Sequence, residues 1–184
     1  MAELTDENIM IKVKDGQLAD LAVLFDRYNV KLYHFFLKLT LDKAISEDLT
    51  QNVFCRIIKY RHTYNISDGT FKSWVYRMAR NLHFDHCKQQ KKIEDQFKKL
   101  ENYHDNIPNM DQPRAEGEFK KLDWALLQLQ PDQRELIMLS RFSGLRYEEI
   151  SRIHGKSVLA IRVQVHRAIN HLRKIYFKQQ EERL

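Results

Sequence analysis

The chain has 184 residues, 31 Lys and Arg against 25 Asp and Glu, a formal net charge of +6, and 43% apolar with 30% charged residues. That balance argues for a globular chain rather than a disordered one, and no stretch approaches the roughly 20 apolar residues that span a bilayer. The charge favours an anionic partner such as nucleic acid.

Five Gly and three Pro are few for this length, which points to a mostly helical chain, and its three zones make the expectation an all-α chain of two small helical domains joined by a flexible linker. Cys55 and Cys87 stand apart with no CxxC spacing, as in a reducing compartment. The acidic start, Met1 to Glu7, has no signal-peptide core, and a cytoplasmic location is expected.

In chain order, a first zone (6–92) opens with Leu21, Leu24, Phe25, Tyr28, Leu32, Phe35, Phe36 and Leu39 at three- and four-residue steps. That periodicity predicts one buried helical face. Ser46-Glu47-Asp48-Leu49 announces a second helix with Leu49, Val53, Phe54 and Ile57 inside. Asp48, Gln51, Asn52 and Cys55 then fall on one exposed polar stripe. Residues 65–70 read as a loop, followed by a third amphipathic helix through Phe71, Trp74, Val75, Met78, Ala79 and Leu82. Within it, His83, His86 and Cys87 invite a metal reading, but a zinc site usually needs four converging ligands and no second cluster is evident. No metal or cofactor is expected.

The middle zone (93–118) loses periodicity, holds Pro108 and Pro113, and is locally acidic, which predicts a linker. The last zone (119–184) is helical again. Leu122, Ala125, Leu126 and Leu129 form a stripe. Pro131 opens a helix with Leu136, Ile137, Leu139 and Phe142 inside, and Gly144 ends it. A short helix from Tyr147 to Ile153 closes at Gly155, a left-handed cap, and Ser157 is the N-cap of a final helix. Two helices around a Gly turn, the second more basic, make a helix-turn-helix pattern. Its reading edge would carry Arg162, Gln164, His166 and Arg167; Arg suits guanine and Gln suits adenine. Lys156, His171, Arg173 and Lys174 would meet phosphates. A plain helical hairpin with a solvated basic face fits the same residues.

Both zones resemble the domains of small bacterial sigma factors of the extracytoplasmic-function type. Leu129-Gln130-Pro131-Asp132-Gln133-Arg134-Glu135, Gly144-Leu145-Arg146-Tyr147-Glu148-Glu149-Ile150-Ser151 and Ile161 to Ala168 are similar to the three segments of sigma region 4. Ser46 to Phe54 resembles the helix that docks on the polymerase beta-prime coiled coil. Phe71 to Asn81 resembles the segment that recognises and melts the minus-ten element.

The resemblance implies a non-enzymatic sigma factor whose partners are core RNA polymerase (beta-prime coiled coil and beta flap), promoter DNA, and an anti-sigma or other regulatory protein. It implies docking through Asp48, Leu49, Gln51, Asn52, Phe54 and Cys55. It implies minus-ten contacts by Tyr64, Asn65, Phe71, Lys72, Trp74, Arg77, Arg80, Asn81 and Lys88, with the 61–70 loop as the pocket for a flipped base. It implies minus-thirty-five contacts by Arg134, Lys156, Ser157, Arg162, Val163, Gln164, His166 and Arg167.

Asn52, Val163, Gln164 and His154 depart from the family pattern, which points to altered docking strength and promoter sequence. A stand-alone helix-turn-helix regulator remains as the rival reading, but it leaves the Asp48 to Phe54 stripe unexplained. An enzyme is disfavoured by the lack of a phosphate-binding glycine loop, nucleophile elbow or paired-His motif.

Overall fold

The computed structural model describes residues 5–100 and 118–181. Among these residues the regular structure is helical, without a strand. Helices α1 (Asp6–Lys14), α2 (Leu21–Thr40), α3 (Lys43–Tyr60) and α4 (Phe71–Leu100) build the N-terminal domain. Helices α5 (Glu118–Leu127), α6 (Pro131–Ile137), α7 (Tyr147–His154) and α8 (Val158–Glu181) build the C-terminal one.

The ends of the helices follow from local chemistry. Asp42 caps α3 by accepting from the Ile45 N–H at 2.9 Å. Thr70 caps α4 through the Ser73 N–H at 3.1 Å, and Glu7 reaches across from α1 to accept from the Phe71 N–H at 3.0 Å. α6 passes into a π turn over Met138–Phe142. It stops at Gly144, whose φ of 61° lets the Leu145 N–H return to the Leu139 carbonyl. Gly155, at φ 65°, ends α7 in the expected left-handed cap.

Periodicity predicted the inner faces well, with two corrections. Phe25 is 42% exposed and lies at the rim, its ring 4.7 Å from that of Phe54; Phe142 is 51% exposed because the π turn rotates it out of the α6 stripe. α4 also continues to Leu100, into the stretch expected as linker, because the Gln- and Lys-rich run from Cys87 to Lys92 contains no helix breaker. The linker's two prolines and most of its acids lie outside the described residues.

The two domains share a core. One cluster of buried apolar side chains runs from Met10, Leu24, Phe35 and Phe71 into Leu136, Leu139, Ile150 and Ile161. A smaller one joins Leu126 and Leu129 to Ile137 and Ala168 within the C-terminal helices. Polar links flank the shared cluster: Lys38 pairs with Asp123, and the Lys72 ammonium donates to the Gly144 carbonyl at 3.0 Å.

Candidate nucleic-acid interface

On α3 the polar stripe comes out as the spacing demands: Asp48, Gln51, Asn52 and Cys55 are exposed. Phe54 is not part of that surface, whereas Leu49 lines the groove beside it. Both are buried, and apolar packing onto the neighbouring helices, including Phe25 against Phe54, takes their side chains inward. Asp48 and Asn52 form one wall of that groove, which holds about 590 Å³. Its other wall is α4, with Asp85, His86, Lys88, Gln89 and Lys92. A groove of mixed charge between two helices can seat another helix pair.

The expected base pocket is organised by aromatic packing. Tyr64 is 1% exposed, with its ring 5.4 Å from Trp74 and 6.2 Å from Phe71, which is itself fully buried. Burial raises the Tyr64 hydroxyl pKa to about 12, helped by Glu7 and Asp6 nearby. Tyr64 and Phe71 therefore hold the loop from below instead of presenting rings to a base. Trp74 is half-buried on the same cluster. Asn65 is exposed, and its side-chain oxygen accepts from the Ser67 N–H at 3.2 Å, an Asx turn shaping the loop tip. The cations and Asn81 follow on α4: Lys72, Arg77 and Arg80 are half-buried, while Asn81 and Lys88 are exposed.

The half-burial of Lys72 and Arg80 comes from the C-terminal domain. Arg80 Nε lies 2.9 Å from Glu135 Oε1, off the N–H axis, so the contact is an ion pair more than an aligned hydrogen bond. Burial pushes the Glu135 carboxyl pKa up and Arg80 draws it back down. His154 Nε2 is 3.7 Å from the other Glu135 oxygen. Burial, with Arg80 and Lys156 nearby, lowers the His154 pKa to about 4, so the ring is neutral at pH 7 and this contact is not an ion pair. Glu149 completes the seam. One oxygen accepts from the Arg146 N–H at 2.8 Å, capping α7, and the other accepts from the Thr70 hydroxyl at 2.5 Å. Arg152 donates to the Asp68 carbonyl at 3.2 Å, beside Gly69 in the loop.

Glu7, Glu135, Glu149 and Arg152 were missed from sequence. Only Glu149 left a signal, a carboxylate three residues after an N-cap position. The other three act across distances that no local spacing encodes.

On α8 the expected reading edge is open to solvent. Arg162, Val163, His166 and Arg167 are exposed, with the Arg162 guanidinium 6.0 Å from the Tyr147 ring centre. Gln164 is half-buried and accepts from Lys156 Nζ at 3.2 Å, which ties two candidate DNA contacts to each other. Ser157 accepts from the Ala160 N–H at 3.2 Å and starts the helix.

Arg134 belongs elsewhere. Its guanidinium donates to the carbonyls of Leu126 (2.9 Å), Leu127 (2.7 Å), Leu129 (3.3 Å) and Leu39 (3.4 Å). Three of those acceptors crowd the C-terminal end of α5 and Leu39 lies in the last turn of α2, helix ends where a cation is favoured, so the side chain is a structural clamp and not a phosphate contact. His83 and Cys87 approach to 3.5 Å, and among the described residues no group of three or more His, Cys, Asp or Glu is placed to hold a metal. No described helix is long and apolar enough to cross a membrane.

Comparison with known proteins places both domains. A sequence model of Sigma-70 region 2 matches residues 24–93, and one of Sigma-70, region 4 matches residues 119–172. The ECF RNA polymerase sigma factor SigE of Mycolicibacterium smegmatis is 30% identical over 83% of this chain and 60% of its own, so the chain spans less than two thirds of that relative. RNA polymerase sigma factor CarQ of Myxococcus xanthus is 29% identical over 90% of this chain and 94% of its own. The fold is also that of the sigma factor RpoE solved in complex with the anti-sigma factor NepR from Bartonella quintana. The TM-score is 0.68 at 22% identity, covering 85% of this chain and 96% of that one.

Proposed function

The chain belongs to the sigma-70 family as an extracytoplasmic-function sigma factor, acting in promoter-directed transcription initiation by RNA polymerase, and from that premise we propose how its residues divide the work. Asp48, Gln51, Asn52 and Cys55 dock on the polymerase beta-prime coiled coil. The single observation that carries this is the exposed polar stripe on α3 opening onto the α3–α4 groove.

Lys72, Arg77, Arg80 and Lys88 follow the backbone of the melted minus-ten strand, while Asn65 and Asn81 offer hydrogen bonds to its bases. Trp74, half-buried, lends an edge to the loop pocket. Arg162, Val163, Gln164, His166 and Arg167 read the minus-thirty-five element in the major groove, with Lys156 on a phosphate. Val163 brings an apolar contact and Gln164 an amide, so a thymine methyl and an adenine edge suit this helix. The role is non-catalytic: bases are captured, not chemically changed. Its place is beside the polymerase in the cytoplasm, where a regulatory protein of the anti-sigma kind is a further partner class.

The test is co-elution of the purified full chain with bacterial core polymerase. A stoichiometric complex that is abolished by Asp48→Arg with Asn52→Arg supports the docking assignment. A folded chain that binds DNA alone and never joins polymerase overturns it in favour of a stand-alone regulator.

A further inference from the structure

We propose that the protein carries a binding site for a small aromatic carboxylate, in the cavity enclosed by α2, α4 and the π turn. The site shares no side chain with the docking stripe or the promoter contacts, so it depends on neither.

The cavity holds about 290 Å³, at the small end of the roughly 300–1,000 Å³ usual for small-molecule sites. That volume suits a fused aromatic body and is too small for a nucleotide. The floor is apolar and polarisable. Phe35 and Tyr76 are fully buried and pack edge-on with ring centres 5.3 Å apart, and buried Met138 adds a thioether that favours aromatic neighbours. The hydroxyls of Tyr76 and Ser143 are hydrogen-bonded to each other, so the polar atoms of the wall are already satisfied.

The mouth exists because α6 leaves the α-helical path. The π turn over Met138–Phe142 carries Phe142 out of the α6 stripe and stands its exposed ring at the edge of the cavity. Such turns recur at functional sites. A large ring turned away from its own core gains most from an apolar partner laid against it.

Charge selects the head group. Lys31, His34 and Lys38 fall at i, i+3 and i+7 of α2 and line the rim, and among the described residues no carboxylate lines the cavity. Lys38 is held by Asp123. Lys31 is exposed, its ammonium 5.4 Å from the Tyr28 ring centre, and no described carboxylate lies within ion-pair distance of it. With a ring on the floor and against Phe142, the carboxylate of the ligand meets Lys31, and His34 offers a second donor. The occupant touches side chains of both domains, so its binding free energy adds to what holds them together.

The test uses the full chain with carbon-13 methyl groups on its five methionines and naphthalene-2-carboxylate as the probe. Met138→Leu identifies the Met138 signal. The ring current of the bound probe should move that signal saturably, while Met10, buried elsewhere in the core, stays in place.

Lys31→Glu and Lys31→Met should each weaken binding by about tenfold or more, whereas Lys59→Glu, the same charge change outside the cavity, should keep it within about twofold. Phe142→Ala should weaken it by about fivefold or more. All four replace exposed side chains, so the thermal transition should stay near that of the parent. Naphthalene-2-carboxamide, the neutral counterpart, should bind the parent more weakly and be indifferent to Lys31→Met. No saturable Met138 shift at millimolar probe would overturn the site. Equal binding of acid and amide, or full affinity in both folded Lys31 variants, would overturn its choice of an anion. Co-elution with core polymerase tests the docking assignment separately, and failure of either leaves the other standing.

Discussion

The two surfaces expected to meet DNA are built in opposite ways. The α8 edge is a row of exposed side chains on a helix whose other face, Ile161, Val165 and Ala168, is buried. The loop and first turns of α4 rest on a buried aromatic cluster and lie beneath a second domain. A surface of the first kind can be altered without cost to the fold. One of the second kind couples recognition to stability and to domain arrangement.

The sharpest way to break that contrast is Phe71→Ala. Removing a fully buried ring that packs on Tyr28, Tyr64 and Trp74 should cost about 3–5 kcal/mol, read as a lower denaturation midpoint. A loss under 1 kcal/mol would mean that the loop does not depend on its aromatic floor.

Arg134→Ala comes next, at about 2–3 kcal/mol, because several carbonyls lose a charged donor at the end of α5. The same variant should keep upstream promoter affinity once its folded fraction is accounted for. A specific loss of DNA binding at full stability would return Arg134 to the DNA contacts.

Acid should weaken the seam by about 1–2 kcal/mol between pH 7 and 5. His154, with its pKa lowered to about 4 from an ordinary 6.5, is neutral at pH 7 in folded and unfolded chains alike. As pH falls below 6.5 the unfolded chain takes up a proton that the folded one refuses, so stability declines from there down to about pH 4. His83, lowered to about 4 by burial with His86 and Arg134 beside it, acts in the same sense. Glu135, raised by burial, acts in the opposite one. Denaturant melts at pH 7 and 5 should therefore show a shallower loss in His154→Gln than in the parent; equal slopes would remove His154 from the account.

The smallest effect on stability belongs to Arg162→Ala and Arg167→Ala, within about 0.5 kcal/mol, since both side chains are exposed. Their effect should fall on upstream promoter binding, which weakens while polymerase binding stays. Equal loss of both in a folded variant would end the division of labour between the domains.

Much of this was legible in the residues. The α3 stripe, the Gly144 and Gly155 stops, the Ser157 cap and the inner faces of α2, α3 and α8 follow from helical spacing and end chemistry, which act over one or two turns. Phe25 misled because periodicity marks an apolar face without saying where the covering partner ends, and Phe142 because the π turn breaks the period that placed it inside. Arg134 misled differently: the resemblance sets it among the promoter contacts until the carbonyls that claim it are in view.

By itself, then, the sequence determined the helices, the family and the two motif sets, because each is written in side chains only a few residues apart. Only the tertiary structure decided that Tyr64 faces inward, that Arg134 clamps α5, and that Glu135 and Glu149 close over α4. Those outcomes depend on pairs such as Arg80 with Glu135 and Thr70 with Glu149, far apart in the chain. Such pairs meet only when burying apolar surface between the domains outweighs the chain entropy lost in bringing them together.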